Sequence, residues 1–128
     1  MMIDPEARYV KSHEWAKKDG DLIAVGLTAY ALEQLGDIVY LELPEIGRTL
    51  KQGEMFGVIE SVKSVSDMYA AISGTVAEVN TPAIDDPDSI KKDVYKTGWL
   101  IKLDPSDASE LDGLMDAQAY QQFLETDA

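Results

Sequence analysis

Met55 to Ala70 reads MFGVIESVKSVSDMYA, and this stretch decides the fold. Met55–Ser61 has the β-branched and aromatic content of a strand. Val65–Ala70 is a second, weaker strand candidate. Val62-Lys63-Ser64 then lies at a hairpin tip, where a lysine projects into water and away from the core. No Asn-Gly or similar pair marks the tip, so turn chemistry does not fix the register.

The pattern extends outward on both sides. Upstream, Glu14–Val25 reads as a hairpin turning on Asp19-Gly20, a pair that tolerates positive φ. Thr28 caps a short helix whose apolar stripe is Ala31, Leu32 and Leu35, and Gly36 suits its left-handed stop. Asp37–Leu43 (DIVYLEL) alternates as a strand, with turns predicted at Pro44–Gly47 and Gln52-Gly53. Downstream, Gly74–Val79 and Gly98–Leu103 (GWLIKL) read as strands. Asn80–Lys92, with Pro82, Pro87 and the polar run around Asp85–Ser89, reads as a loop.

From Pro105 the period becomes helical, over about residues 106–126. Asp107 and Glu110 have the spacing of a capping box. Leu111, Leu114 and Met115 share a face, and a second helix from Asp116 turns Tyr120, Phe123 and Leu124 inward. Gly36-Asp37-Ile38-Val39 resembles Gly74-Thr75-Val76, and Val58-Ile59 resembles Leu100-Ile101, a faint and imprecise repeat. Two such strand sets wrap into a small two-layer β sandwich, so the expectation is one mainly β domain over residues 1–128.

Composition bounds the function. The 128 residues carry 24 acids against 11 bases, a formal charge of −13. Duplex nucleic acid and anionic membranes are therefore poor partners, and basic protein surfaces are good ones. The tail after Leu103 holds seven acids and no Lys or Arg, the mark of a solvated helix face. There is no cysteine, which removes disulfides, thiolate metal sites and cysteine nucleophiles. The first nine residues have neither a signal-peptide nor a transit-peptide pattern, so a cytoplasmic location is expected.

No reaction centre emerges. His13 is the single histidine, and its neighbours Ser12 and Glu14 point to the opposite face if the segment is a strand. One His without Cys makes no zinc site, and no phosphate-binding glycine loop is present. A self-contained enzyme is therefore not expected.

Glu60-Ser61-Val62-Lys63-Ser64-Val65-Ser66-Asp67, followed by Tyr69 and Ser73-Gly74, resembles the lipoylation segment of the H protein family of the glycine cleavage system. The resemblance spans nearly the whole chain. It includes His13-Glu14-Trp15, Gln34–Val39, Leu43–Gly47, Phe56–Glu60 and Gly98–Ile101 in the family's order. Val62 and Ser64 beside the lysine differ from the methionines usual in biotin carriers and the aspartate usual in lipoyl domains of 2-oxoacid dehydrogenases. Ala71 stands where proline is common, and Lys91-Lys92 and Lys96 lie in a loop that usually carries polar, acidic or Gly residues.

The resemblance implies a flattened barrel of the lipoyl-carrier (barrel-sandwich hybrid) type, with lipoate joined to Lys63 by an amide. Glu60, Ser61, Val62 and Ser64 would be read by the lipoate ligase or lipoyl transferase. The arm would take an aminomethyl group from a pyridoxal-phosphate glycine decarboxylase and yield it to a tetrahydrofolate-dependent aminomethyltransferase. Dihydrolipoamide dehydrogenase would reoxidise the dithiol. The same lysine would serve a lipoyl relay protein that donates lipoate to other 2-oxoacid dehydrogenase complexes. The loaded amine, protonated near neutral pH, calls for a carboxylate: Glu14 and Asp67 are the candidates, with Ser12 beside them. Leu27, Ala31 and Leu35 are candidates to line an apolar cleft for the arm.

Overall fold

The computed structural model describes residues 2–126; Met1, Asp127 and Ala128 lie outside the described residues. Strands β1 (Arg8–Tyr9), β2 (Glu14–Asp19) and β3 (Leu22–Leu27) come first, then helix α1 (Ala29–Leu35). Strands β4 (Ile38–Glu42), β5 (Thr49–Leu50), β6 (Met55–Ser61), β7 (Val65–Tyr69) and β8 (Gly74–Val79) follow. Helix α2 (Thr81–Asp85), a 3-10 helix (Pro87–Lys91), strand β9 (Ile101–Pro105), and helices α3 (Ser109–Asp112) and α4 (Ala117–Thr126) complete the chain. The strands form two antiparallel sheets, ordered β1-β2-β3-β9-β8-β5 and β4-β6-β7. This is the mainly β, two-layer architecture with short helices that the sequence predicts. No described helix is long and apolar enough to cross a membrane.

The main core lies between the sheets. It takes Ile23, Val25 and Leu27 from β3, Leu41 from β4, Phe56 and Ile59 from β6, Met68 from β7 and Ile101 and Leu103 from β9. β3 is covered on its other face as well. There Ala24 joins Ala7, Tyr9, Trp15, Tyr95 and Tyr120 in a second, aromatic core under α4. Gly26 has no room for a side chain, because an added Cβ would stand 2.8 Å from the Trp15 ring. The two segment pairs of the faint repeat fall on antiparallel strand pairs in different sheets, β4 with β6 and β8 with β9. The sheets are nevertheless unequal, with six strands against three.

Several sequence expectations are corrected. The first hairpin turns on Gly20-Asp21, one residue later than expected, because Asp19 pairs with Leu22 and Gly20 takes φ +62°. Asn80–Lys92 is not irregular. Pro82 sits in the first turn of α2 and Pro87 in that of the 3-10 helix, where a missing N–H costs nothing. The last strand starts at Ile101 and runs to Pro105. Asp107 and Glu110 do not form a capping box. Asp107 accepts the Ser109 N–H at 3.0 Å, whereas the Glu110 carboxylate takes the Ser73 N–H at 2.6 Å and its hydroxyl at 3.1 Å, tying α3 to the start of β8. Lys91 pairs with Asp88 at 3.0 Å, and Asp88 also accepts the Ile38 N–H at 3.0 Å, which anchors the 3-10 helix to β4.

Gly57 sits at a register shift between β6 and β7, and an added Cβ would lie 2.2 Å from the Glu42 carbonyl oxygen. The clash is with main chain, which cannot yield cheaply. Gly57→Ala should therefore lower unfolding free energy by about 3 kcal/mol, read as a fall in the urea midpoint at unchanged slope.

Candidate functional site

The hairpin expected around Lys63 is present, and its tip is built on Ser61. β6 and β7 pair up to Glu60 and Val65, leaving Val62 and Lys63 as the two central turn residues. Neither takes the positive φ of the common two-residue hairpin turns; among described residues His13 is the sole non-glycine with positive φ. The Ser61 side chain shapes the turn instead. Its Oγ accepts the Lys63 N–H at 3.2 Å and the Ser64 N–H at 3.1 Å, while the Ser61 N–H reaches the Ser64 carbonyl at 2.8 Å. The Val62 N–H donates to the Asp37 carbonyl at 3.0 Å, fastening the tip to the segment after α1. Lys63 is exposed and drapes over Gly36, whose missing Cβ would stand 3.0 Å from Lys63 Cε.

Of the other tip residues named from the sequence, Val62 and Ser64 are exposed and Glu60 is half-buried on β6, between Tyr40 and Val65. Ser61 is buried, its hydroxyl occupied by the turn.

Further along the same hairpin lies a cavity of about 210 Å³. All six candidates for an arm pocket line it: Ser12, Glu14, Leu27, Ala31, Leu35 and Asp67. They arrive from different elements. Ser12 and Glu14 come from the entry to β2, Leu27 from the end of β3, Ala31 and Leu35 from α1, and Asp67 from β7. Thr28 makes this possible, since its Oγ1 caps α1 by accepting the Ala31 N–H at 3.2 Å and so sets where the helix begins. Asp67 lies four residues past Lys63, roughly 13 Å along the strand.

Glu14 is the unusual member. It is 1% exposed, accepts the Tyr69 N–H at 3.1 Å and is hydrogen-bonded by the Ser12 hydroxyl. Burial dominates over these bonds and pushes its carboxyl up to about 7. A carboxyl in this state is ready to ionise when a cation arrives, because the cation supplies the compensation that water no longer gives. Asp67, by contrast, is exposed.

The cavity wall also includes His13, Tyr30, Gln34, Ile59, Ser66 and Met68, none of which the sequence reading named as lining. Ser66 was legible in principle, since it pairs with Ile59 across the hairpin. Tyr30 and Gln34 were legible from their i, i+4 spacing on α1. His13 was not, because its φ of +74° turns the segment off the strand alternation.

A model of the family described as Glycine cleavage H-protein matches residues 7–127. The chain belongs to the glycine cleavage H-protein family. Among similar proteins, the glycine cleavage system H protein of Anaeromyxobacter sp. (strain K) is 51% identical over 125 residues, covering 98% of each chain. That of Thermus thermophilus is 46% identical over 128 residues and 100% of each. The crystal structure of a glycine cleavage system H protein from Mycobacterium marinum has a TM-score of 0.88 at 40% identity, covering 96% of this chain and 99% of that one. An H protein is a carrier component of the glycine cleavage system and works with that system's enzymes.

Proposed function

We propose that residues 1–128 act as one carrier domain whose Lys63 is acylated by lipoate, through a lipoate ligase or lipoyl transferase. The carrier shuttles an aminomethyl group from glycine decarboxylase to the tetrahydrofolate-dependent aminomethyltransferase, and presents its dithiol to dihydrolipoamide dehydrogenase. The observation that supports this reading is the shared hairpin: an exposed lysine at its tip, and a cavity holding a buried carboxylate farther along the same strands. Bound lipoate supplies the sulfur redox chemistry that a cysteine-free chain lacks.

The chain's residues provide position and shelter. Ser61 holds the tip in one conformation, so the arm swings from a defined origin. A tethered group acts at high effective concentration only when the tether spans the gap, and the distance from Lys63 to the cavity, roughly 13 Å at Asp67, suits an acyl-lysine arm. Leu27, Ala31, Leu35 and Met68 offer apolar wall to the arm's methylenes and exclude water from its end. Glu14, with Asp67, receives the protonated amine of the cargo by a charge-assisted hydrogen bond. A pair desolvated in this way exceeds the ~0–1 kcal/mol of a surface pair.

Peptide mapping after lipoate ligase treatment tests the assignment. The expected result is one lipoyl group per chain, on Lys63 alone among nine lysines. Glycine decarboxylase and labelled glycine should then load this form and not the unacylated one. Modification elsewhere, or loading without acylation, would reject it.

A further inference from the structure

The last helix reaches the cavity wall at His13, through the Tyr120 hydroxyl and the Phe123 ring. Tyr120 on α4 is fully buried and stacks flat on Tyr9, ring centroids 4.5 Å apart. Its Oη lies 2.8 Å from His13 Nδ1 and 2.8 Å from Thr28 Oγ1. Thr28, also fully buried, accepts the Ala31 N–H as the cap of α1. Two hydroxyl protons and one imidazole proton must be shared among these contacts.

One order uses every hydroxyl proton. Ala31 N–H donates to Thr28, Thr28 O–H donates to Tyr120, and Tyr120 O–H donates to His13 Nδ1. In the reverse order His13 Nδ1–H donates to Tyr120 and Tyr120 donates to Thr28. The Thr28 proton is then left without an acceptor, since among described residues Thr28 Oγ1 has no further partner. A buried donor left unpaired is disfavoured. Nδ1 is thus the acceptor, and the proton of His13 resides on Nε2. An imidazolium carries a proton on both nitrogens, so charging His13 would force the reverse order on the relay.

The surroundings give this tautomer a purpose. His13 lines the cavity with its neighbour Glu14 and with Asp67 from β7. From α1 it meets Tyr30 at 4.7 Å between centroids, and from α4 it meets Tyr120 and Phe123 at 5.8 Å each. Lys11, from its own segment, lies over Phe123 at 6.0 Å. A cationic His13 would put a positive charge into the wall it shares with Glu14, in competition with any amine brought by the arm.

We propose that Tyr120 is a positioning residue of the carrier: its hydroxyl holds His13 neutral, protonated on Nε2, and so keeps the Glu14 carboxylate open to the cargo amine. The proposal rests on the cavity being the berth of the loaded arm. Burial of the imidazole acts in the same direction, lowering its proton affinity.

Nitrogen-15 NMR of His13 in the full chain tests the first half. The wild-type protein should show the Nε2-protonated tautomer, with Nδ1 as acceptor. Tyr120→Phe keeps the stacked ring and removes the hydroxyl; the tautomers should then mix and the His13 midpoint should rise by roughly one unit. A wild-type His13 protonated on Nδ1 overturns the proposal, whether or not the variant folds. An unchanged tautomer and midpoint in the variant also overturns it.

Cargo release from loaded protein, followed from about pH 5 to 8, tests the second half. Tyr120→Phe should release several-fold faster on the acid side and converge with wild type on the alkaline side. Superimposable profiles, with Glu14→Gln accelerating release in both backgrounds, overturn the role given to Tyr120. If Glu14→Gln leaves wild-type release unchanged, the berth itself is rejected and this role with it, while the tautomer result stands separately.

Discussion

Lys63→Arg should give a folded protein that accepts no lipoate and supports no turnover by the glycine cleavage enzymes. The guanidinium keeps the positive charge but stays protonated under all working conditions, so it offers no nucleophilic nitrogen for an amide bond. Folding should not notice the change. Lys63 is exposed, and the contacts that shape the tip belong to the Ser61 hydroxyl and to main-chain groups of Val62, Lys63 and Ser64. Stability should stay within about 0.5 kcal/mol of wild type. Intact mass after ligase treatment and a urea melt together decide the matter. Acylation of this variant at any other lysine would show that the tip is not what the ligase reads.

Glu14→Gln should produce the second large effect, and it appears in two measurements. The folded chain keeps the Glu14 proton up to about 7, whereas the unfolded chain releases it near 4.5. Between those values the native state holds more protons, so stability falls as pH rises through this window and levels off above it. The gap amounts to roughly 3 kcal/mol. Glutamine has nearly the same shape and no charge, and should flatten the profile, making the variant the more stable protein at about pH 8. Urea melts across the window test this; equal slopes for both proteins would refute it. Loaded protein should respond in the opposite sense. Without the carboxylate the amine loses its partner, and ammonia and formaldehyde should be released several-fold faster. Asp67→Ala should accelerate release more mildly, since Asp67 remains exposed to water.

The tip was legible because strand pattern on both sides left a lysine with nowhere to go but solvent. The α1 wall was legible for a similar reason: Thr28, Ala31, Leu35 and Gly36 supply a cap, a stripe and a stop, all local signals. Glu14 was named as a candidate, but its burial was not legible. An acid at the start of a strand is ordinarily solvated, and its burial depends on Ser12, Tyr69 and the α1 side chains, which meet it only after the sheets have closed. The prolines of Asn80–Lys92 misled because a breaker within a helix is a favoured starter in its first turn. β1 and β5 are two residues long, too short to show any period. The Tyr120 relay joins residues 92 and 107 positions apart, a separation that no local pattern encodes.

The bond from Tyr69 N–H to Glu14 has a further consequence. β7 is the outer strand of the three-stranded sheet, and a bare outer strand invites a second molecule to add itself along the row of free main-chain groups. Glu14 occupies one of those groups from within the same molecule and interrupts the row. Without it, the strand that leads away from the Lys63 tip would offer an uninterrupted row to a second copy of the chain. The residue proposed to shelter cargo within one molecule thereby also blunts the edge that a second molecule would join.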